Sequence, residues 1–131
     1  MEDNFKIEII SPEKIVFADN IKMATLPSYE GDMSILKNHI SIITFLRPGI
    51  IRVEKKEENS QNFFVEDGTV EYFNDNLIIL SSSATNVKNL SKESIKSLNK
   101  EIEEKLVDKN ITDHDRYVLN YKLDTIKELE F

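Results

Sequence analysis

The spacing of apolar residues changes near residue 88, and this change constrains the fold more than any other feature of the sequence. Up to about residue 83, apolar and polar residues alternate in short runs, as in FKIEI, where every second residue from Phe5 to Ile9 is apolar. Such alternation is typical of half-buried strands. From Asn89 onward, apolar residues recur every three or four positions, which is the spacing of one helix face. The sequence therefore predicts a β domain followed by helices.

The β region contains many short candidate strands separated by turn signals. A turn is expected at Arg47-Pro48-Gly49, because proline presets one φ angle and glycine permits another. Asp67-Gly68 is the strongest hairpin signal, and it predicts that NFFVE pairs with TVEYF. We also expect a break between strands at Asp19-Asn20. A polar link, KKEENSQ, is expected to precede NFFVE. Short strands at this close spacing predict an antiparallel sandwich or barrel.

The second part of the chain predicts two helices. Ser91 is the expected N-cap of the first helix and Thr112 that of the second. Each helix carries a narrow apolar stripe: Ile95, Leu98, Ile102 and Leu106 in the first, and Leu119, Leu123, Ile126 and Leu129 in the second. The short polar connection between them predicts an antiparallel hairpin. Because each stripe is narrow, we expect most of the hairpin surface to lie in water and the hairpin to be a detachable appendage.

Composition argues against several classes of function. The formal net charge of −7 disfavours binding to nucleic acid and to anionic lipid surfaces. The absence of cysteine excludes disulfides, thiolate chemistry and cysteine-based zinc sites. MEDNFKIEII does not resemble a secretion or transit signal, and no apolar run is long enough to span a membrane. We expect a soluble intracellular protein with no direct membrane insertion.

No arrangement of residues indicates catalysis. Ser81-Ser82-Ser83 lacks the glycines of a nucleophile elbow, and three isolated glycines cannot form a phosphate-binding loop. His39 and His114 lie in different segments without metal-ligand spacing. We expect a protein with no catalytic site, no metal and no cofactor.

The stretch EGDMSILKNH at residues 30–39 has two interpretations. In the first, it is a wide loop between strands, in which Ile35 and Leu36 fill the core and the other residues are solvated. In the second, it is a recognition loop, because binding residues concentrate on loops of a rigid scaffold. The residues alone leave both open.

Several segments occur in a characteristic order. G-x-x-x-I-L-x-N-H at residues 31–39 and L-x-P-G at 46–49 are the most specific, and FVEDGTVEY at 64–72 and LIILSSSA at 77–84 follow them. Together with the two-helix tail, they resemble the epsilon subunit of bacterial F-type ATP synthases, the counterpart of the mitochondrial delta subunit, over essentially the whole chain. The chain departs from the family pattern at four positions: Asp19, Ser34 and Asp67 stand where the family has glycine, and Lys37 stands where it has proline. None of these changes breaks the fold.

The resemblance implies a mainly β fold with an α appendage. Residues 1–86 would form an antiparallel β-sandwich of about ten strands that binds the gamma subunit and the c-ring, and residues 87–131 would form an accessory regulatory hairpin. The subunit would be a non-catalytic part of the rotor's central stalk that couples proton flow to ATP synthesis. It would be peripheral, on the cytoplasmic face of the bacterial cell membrane. By position, Ser11, Asp32 and His39 match family residues near the c-ring loops, where Asp32 would oppose an arginine.

The resemblance also concerns regulation by the hairpin, which in some members binds ATP and in others contacts the alpha and beta subunits. The ATP motif I/L-D-x-x-R-A aligns with LSKESI at residues 90–95, where its aspartate, arginine and alanine are all replaced. From residue 113 onward, five acidic side chains outnumber three basic ones, so acidic partner segments would repel the second helix. We expect negligible ATP binding and weak inhibition of hydrolysis.

Two other classes of function compete with this interpretation. The first is a stand-alone interaction module with a β body and a helical arm, which would have no affinity for gamma. The second is a sugar- or lipid-binding sandwich, which would need exposed aromatic side chains near one edge. The candidates are Phe63, Phe64, Tyr72 and Phe73, although their alternation within strands favours core packing.

Overall fold

A computed structural model describes residues 3–55 and 59–129. Residues 56–58 of the polar link, and Glu130, which was counted among the acidic residues of the second helix, lie outside the described residues. The described strands are β1 Phe5–Ile10, β2 Ile15–Ile21, β3 Met23–Ser28, β4 Gly31–Leu36, β5 Ile42–Leu46, β6 Gly49–Glu54, β7 Ser60–Val65, β8 Gly68–Phe73, β9 Asn76–Leu80 and β10 Thr85–Asn86. A 3₁₀ turn at Val87–Asn89 precedes α1 Lys92–Leu106 and α2 Asp113–Leu129. The predicted sandwich followed by a helical hairpin is confirmed.

The strands hydrogen-bond in the order β10-β7-β6-β3-β5-β8-β9-β1-β2, and β4 pairs with β3. This sheet folds into two layers, one with β3, β4, β6, β7 and β10 and the other with β1, β2, β5, β8 and β9. β3 joins the layers because its first half pairs with β6, whereas Ser28 near its end pairs with Leu46 of β5. β1 and β9 run parallel, and the other described pairs are antiparallel.

One predicted hairpin is wrong. Residues 66–67 connect β7 to β8, but β7 pairs with β6 and β10 whereas β8 pairs with β5 and β9. The connection therefore crosses from one layer to the other. Gly68 is needed for close packing rather than for a tight turn, because an added Cβ would lie 2.9 Å from the Leu80 carbonyl oxygen. Gly49 packs in the same way, since its added Cβ would lie 2.5 Å from Cβ of Pro27.

The predicted break at Asp19-Asn20 is also wrong, since β2 continues through both residues. Aspartate is unfavourable in strands. Here, Asp19 Oδ2 lies 2.6 Å from Lys55 Nζ. This contact and the backbone N–H of Asn20 lower the pKa of the Asp19 carboxyl. A charged partner thus allows the acid to remain within an edge strand.

Two separate apolar clusters stabilise the molecule. The first fills the space between the layers and contains Phe5, Ile7, Ile9, Ile21, Ala24, Leu26, Ile35, Leu46, Ile51, Val53, Phe63, Val65, Val70, Tyr72, Leu77 and Ile79. The second lies between the hairpin and the outer surface of β6 and β7. Its buried members are Phe64, Ile95, Ile102, Leu119, Ile126 and Leu129, and Ile50, Leu98, Leu106 and Leu123 pack against them. The helical stripes therefore face the sandwich as well as each other.

Both predicted helix caps are present. Ser91 Oγ accepts a hydrogen bond from the Ser94 N–H at 3.0 Å, and Thr112 Oγ1 accepts one from the Asp115 N–H at 3.0 Å. Polar contacts also attach α2 to the sandwich, and they include an ion pair of 2.7 Å between Lys122 and Glu66. The hairpin is thus folded against the sandwich.

Candidate functional site

Residues 30–39 form a strand and its flanking turns rather than a wide loop. Residues 31–36 are β4, which pairs with β3 along its full length. Gly31 has a φ of 118°, which favours glycine at the turn that starts the strand. Ile35 is fully buried but Leu36 is 49% exposed, so only one of the two predicted core residues fills the core. The wide-loop interpretation is therefore wrong for residues 31–36. The interpretation that this stretch recognises a partner stays a prediction, for a strand and its turns rather than for a loop.

The register of the strands places the connections near Ser11, Asp32 and His39 at two ends of the sandwich. The strand ends Ile10, Leu80 and Leu46 lie at one end of the sandwich, because Ile10 pairs with Leu80, Leu80 with Thr69, and Leu46 with both Gly68 and Ser28. We call this the Asp32 end. It comprises connections 11–14, 29–30, 47–48 and 66–67 and the segment 81–84. The His39 end comprises residues 37–41 and 74–75. Strands of about six residues separate the two ends by about 20 Å. Ser11 and Asp32 therefore share an end, and His39 lies at the other.

Asp32 is an exposed carboxylate with a fixed partner. Its side chain is 68% exposed, and its Oδ1 accepts a hydrogen bond of 3.0 Å from Nη2 of Arg47, which is itself only 17% exposed. Arg47 also donates through Nε to the Ser28 carbonyl at 3.1 Å and through Nη1 to the Pro48 carbonyl at 3.0 Å. The acid is thus held at the surface by a nearly buried cation.

Ser11 has a local structural role. Its Oγ donates to the Lys14 carbonyl at 3.1 Å and lies 3.3 Å from the Lys14 N–H, closing the connection between β1 and β2. The hydroxyl shapes a turn at the Asp32 end. Any contact that Ser11 makes with another molecule would therefore use the turn as a whole.

His39 belongs to a cluster of hydrogen-bonded and aromatic side chains at the other end. Its ring meets the Tyr72 ring edge-on at 5.7 Å, and its Nδ1 lies 2.6 Å from the Ile40 carbonyl oxygen. Oδ1 of Asp75 accepts hydrogen bonds from the Asn38 N–H at 3.0 Å and from the Tyr72 hydroxyl at 2.8 Å. Burial and the hydrogen bond to Asp75 raise the pKa of Tyr72 to about 12. The hydrogen bonds from the Asn38 N–H and the Tyr72 hydroxyl lower the pKa of Asp75.

The outer surface of the second layer carries an extended apolar patch, which we call the open face. Its side chains share the outward side of β1, β2, β5 and β9, in adjacent register, and they are Ile10, Ile15, Ile43, Phe45, Ile78 and Leu80. Ile43 is 76% exposed and Phe45 is 62% exposed. Large contiguous apolar patches on soluble proteins mark interaction sites. Glu8 and Glu71 lie in the same row as Ile43 and Ile78, so the patch is apolar with acidic groups within it.

A signal for the open face was present in the sequence. LIIL is a continuous apolar run and IITFL is interrupted only by Thr44, whereas a strand with one face in water alternates between apolar and polar residues. In the structure, alternate residues of these runs point inward, such as Leu46 and Ile79, and the others point outward, such as Phe45 and Leu80. Apolar residues on both sides of a surface strand predict that a second partner covers it.

The described residues hold no group of three or more histidine and acidic side chains placed to bind a metal. Neither described helix is long and apolar enough to cross a membrane. A cleft lies between the hairpin and the Asp32 end, where its lining includes Tyr29, Glu66, His114 and Lys122. Acidic and basic groups are mixed there, without a cluster of arginines that could clamp phosphate.

Comparison with known proteins identifies the family. A family model described as "ATP synthase, Delta/Epsilon chain, beta-sandwich domain" matches residues 4–87. The ATP synthase epsilon chain of Pelagibacter ubique is 43% identical over 98% of this chain and 99% of its own length. That of Parvibaculum lavamentivorans is 32% identical over 98% of this chain and 97% of its own length. This chain belongs to the ATP synthase epsilon-chain family.

Two solved structures share the fold of this epsilon-family chain. One is from Euglena gracilis mitochondrial ATP synthase in an OSCP/F1/c-ring assembly, with a TM-score of 0.75 and 16% identity over 96% of this chain and 79% of that chain. The other is from the central stalk/c-ring of Tetrahymena thermophila mitochondrial ATP synthase. It has a TM-score of 0.60 and 14% identity over 94% of this chain and 93% of that chain. At such low identity the likeness lies in the fold alone.

Family membership confirms the prediction of a non-catalytic ATP synthase subunit, which is part of the membrane-associated F1 complex. It decides against a stand-alone interaction module and against a sugar- or lipid-binding sandwich. The aromatic candidates agree with this result, since Phe63, Phe64 and Tyr72 are buried and Phe73 alone among the four is exposed.

Proposed function

We propose that this epsilon-family chain is a central-stalk rotor subunit that couples proton flow to ATP synthesis. In this proposal the open face binds the gamma subunit and the Asp32 end rests on the c-ring, on the cytoplasmic face of the bacterial cell membrane. Residues 1–86 carry both contacts, and the hairpin at residues 87–131 is an accessory unit. The solved relatives come from central-stalk and c-ring assemblies, which supports this arrangement.

The observation that carries the proposal is the exposure of the open face. The hairpin covers β6 and β7 in the first layer and leaves β1, β5, β8 and β9 uncovered. Burying apolar surface contributes about 25 cal/mol per Å² to stability. Residues such as Ile43 and Phe45 would therefore contribute to binding energy once a partner excludes water from them.

The acidic groups of the open face indicate the chemistry of that partner. Glu8 and Glu71 flank Ile78 in one row, and Lys6 Nζ lies 3.8 Å from Glu8 Oε1. A partner that buried Glu71 without an opposite charge would incur a desolvation cost. We infer that the contacting surface of gamma is apolar, with a basic side chain opposite Glu71. Such charge complementarity would fix the register of docking.

The c-ring contact rests on the connections of the Asp32 end acting together. One exposed ion pair contributes less than about 1 kcal/mol, so Asp32 alone cannot hold the subunit on the ring. Ser11 contributes through its turn, and Asp32 offers a carboxylate oxygen to a basic c-ring loop. His39 is left out of this contact, because it lies at the opposite end of the sandwich.

The gamma contact is tested by replacing the two most exposed open-face residues of β5. Ile43→Lys with Phe45→Lys should weaken binding to purified gamma about a hundredfold by calorimetry, because central apolar contacts dominate interface energies. The matched control is Leu36→Lys with Val107→Lys, which changes two exposed apolar residues outside the open face. Equal binding by the two double variants would refute the assignment of this face.

The c-ring contact is tested separately. Asp32→Lys in the assembled synthase should reduce proton-driven ATP synthesis, whereas His39→Ala should leave it near the wild-type rate. Both variants should bind gamma normally, which separates the two surfaces. Normal synthesis by Asp32→Lys would count against the Asp32 end, and loss of synthesis by His39→Ala alone would restore His39 to the contact.

A further inference from the structure

Arg47 occupies a position between the Asp32 end and the hairpin. One side of its guanidinium plane lies over the Tyr121 ring of α2, with Cζ 4.5 Å from the ring centre. Its nitrogens are held by the carbonyls of Ser28 and Pro48 and by the carboxylate of Asp32. Because these bonds fix the plane of the guanidinium, they also fix the surface that Tyr121 contacts.

A second aromatic contact lies beside this one. Tyr29, in the turn between β3 and β4, stacks on Tyr117 with ring centres 6.4 Å apart. Tyr117 in turn meets Tyr121 edge-on at 4.8 Å, and the two hydroxyls lie 3.0 Å apart. Two adjacent turns of the Asp32 end thus contact a pair of touching tyrosines of α2, one turn through Tyr29 on Tyr117 and the other through Arg47 on Tyr121.

We propose that Arg47, Tyr29, Tyr117 and Tyr121 form a latch that keeps the hairpin folded on the sandwich, and that Asp32 controls the latch by orienting Arg47. The Asp32 side chain is exposed to solvent, so another molecule can bind its carboxylate. Such binding changes the orientation of the Arg47 guanidinium. Loss of the Asp32 contact lowers the fraction of molecules with a docked hairpin. The Asp32 end and the hairpin are thereby coupled through one side chain.

The separate apolar clusters make such a release physically reasonable. The second apolar cluster, beneath the hairpin, includes the sandwich residues Phe64 and Ile50. The sixteen-residue core between the layers contains no helix residue. Undocking therefore exposes Phe64, Ile50 and the helix residues that face them, and it leaves the sandwich core intact. The proposal depends on the proposed function only for the identity of the molecule that would compete for Asp32.

The experiment uses the isolated full chain, so its failure is distinguishable from failure of the c-ring assignment. The chain has no cysteine, which allows spin labels at two introduced cysteines. Asp67→Cys and Lys109→Cys place one label beside the cleft on the sandwich and the other at the connection between the helices. Pulsed electron paramagnetic resonance then gives the distance distribution, in which a short component reports the docked hairpin and a long component the released one.

Three variants and a matched control are compared. Tyr121→Leu, which removes the ring, should lower the docked-to-released ratio about tenfold, as expected for loss of a partly desolvated cation–π contact. Tyr121→Phe should keep most of the docked population. Asp32→Ala should lower the ratio about twofold to fivefold. Glu30→Ala removes an acid from the neighbouring turn that does not contact Arg47, and it should have no effect.

The outcomes are decisive in both directions. A shift with Tyr121→Leu and Asp32→Ala, at an unchanged unfolding midpoint of the sandwich, supports the latch. An unchanged distribution with Tyr121→Leu overturns it. If Asp32→Ala shifts the ratio no more than Glu30→Ala, control by Asp32 is wrong, whatever the behaviour of Tyr121.

Discussion

The two outer surfaces of the sandwich carry similar apolar residues but differ in what covers them. On the first layer, Ile50 and Phe64 lie under the hairpin, and Phe64 is only 4% exposed. On the second layer, Ile43 and Phe45 of the open face are largely exposed. Within residues 3–55 and 59–129, the chain supplies a partner for the first surface and none for the second. An outward apolar residue in a surface strand therefore indicates a covering partner but does not say whether that partner is in the same chain.

The physical difference lies in the length and position of the hairpin. The two helices have fifteen and seventeen residues, which is long enough to cover β6 and β7. The chain enters α1 shortly after β10, and β10 pairs with β7, so the hairpin starts beside the strands that it covers. The open face lies on the other layer, beyond the reach of a hairpin that docks here. This contrast can be tested by equal substitutions on the two surfaces.

The largest effect is expected from matched isoleucine truncations. Ile126→Ala removes buried methyl groups from the cluster beneath the hairpin and should destabilise the docked hairpin by about 2–5 kcal/mol. Ile43→Ala removes the same groups from the open face and should change stability by no more than about 0.5 kcal/mol. Hydrogen exchange of α2 and chemical denaturation would measure both. Similar costs for the two variants would contradict the distinction between the covered and the open surface.

A smaller effect on the sandwich is expected when the hairpin is removed. A chain ending at Lys88 should stay folded and bind gamma as the full chain does, because the core between the layers contains no helix residue. It should bind more of a hydrophobic dye, since Ile50 and Phe64 become exposed. Circular dichroism, dye fluorescence and gamma titration test this. An unfolded truncation, or one that no longer binds gamma, would refute residues 1–86 as an independent unit.

A modest pH effect is expected at the His39 end. Hydrogen bonds from the Asn38 N–H and the Tyr72 hydroxyl lower the pKa of Asp75 in the folded chain. Its contribution to stability is therefore fully present above the unfolded pKa of about 4 and is lost as pH falls through the folded pKa. Asp75→Asn keeps an acceptor oxygen but cannot titrate, so its unfolding free energy should decline less in acid. Denaturation curves between neutral pH and about pH 2 compare the two, and parallel slopes would exclude Asp75 as a source of acid sensitivity.

The smallest effects are expected for ATP binding by the hairpin and for its inhibition of ATP hydrolysis. Because the positions that align with the ATP motif lack its aspartate and arginine, millimolar ATP should give negligible heat in calorimetry. Because α2 is rich in acids, removal of the hairpin should raise ATP hydrolysis by the synthase only slightly. Clear ATP-dependent heat, or a several-fold rise in hydrolysis, would show that this hairpin regulates the enzyme.

The helix caps were predictable from the sequence, and the strand pairings were not. Ser91 and Thr112 cap their helices as expected, because a cap depends on residues three positions apart. The Asp67-Gly68 hairpin was wrong, because the same dipeptide can join strands of different layers. The candidate site followed the same rule, since Asp32 and His39 are close in sequence but β4 carries them to opposite ends.

The sequence by itself determined the division into a β domain and two helices, the helix stripes and the family, because periodicity, capping and motif spacing are properties of neighbouring residues. The tertiary structure decided which strands pair, which apolar surface the hairpin covers, and that Arg47 joins Asp32 to Tyr121. These contacts join residues far apart in the chain. Their geometry depends on how the layers pack, and no local pattern encodes it.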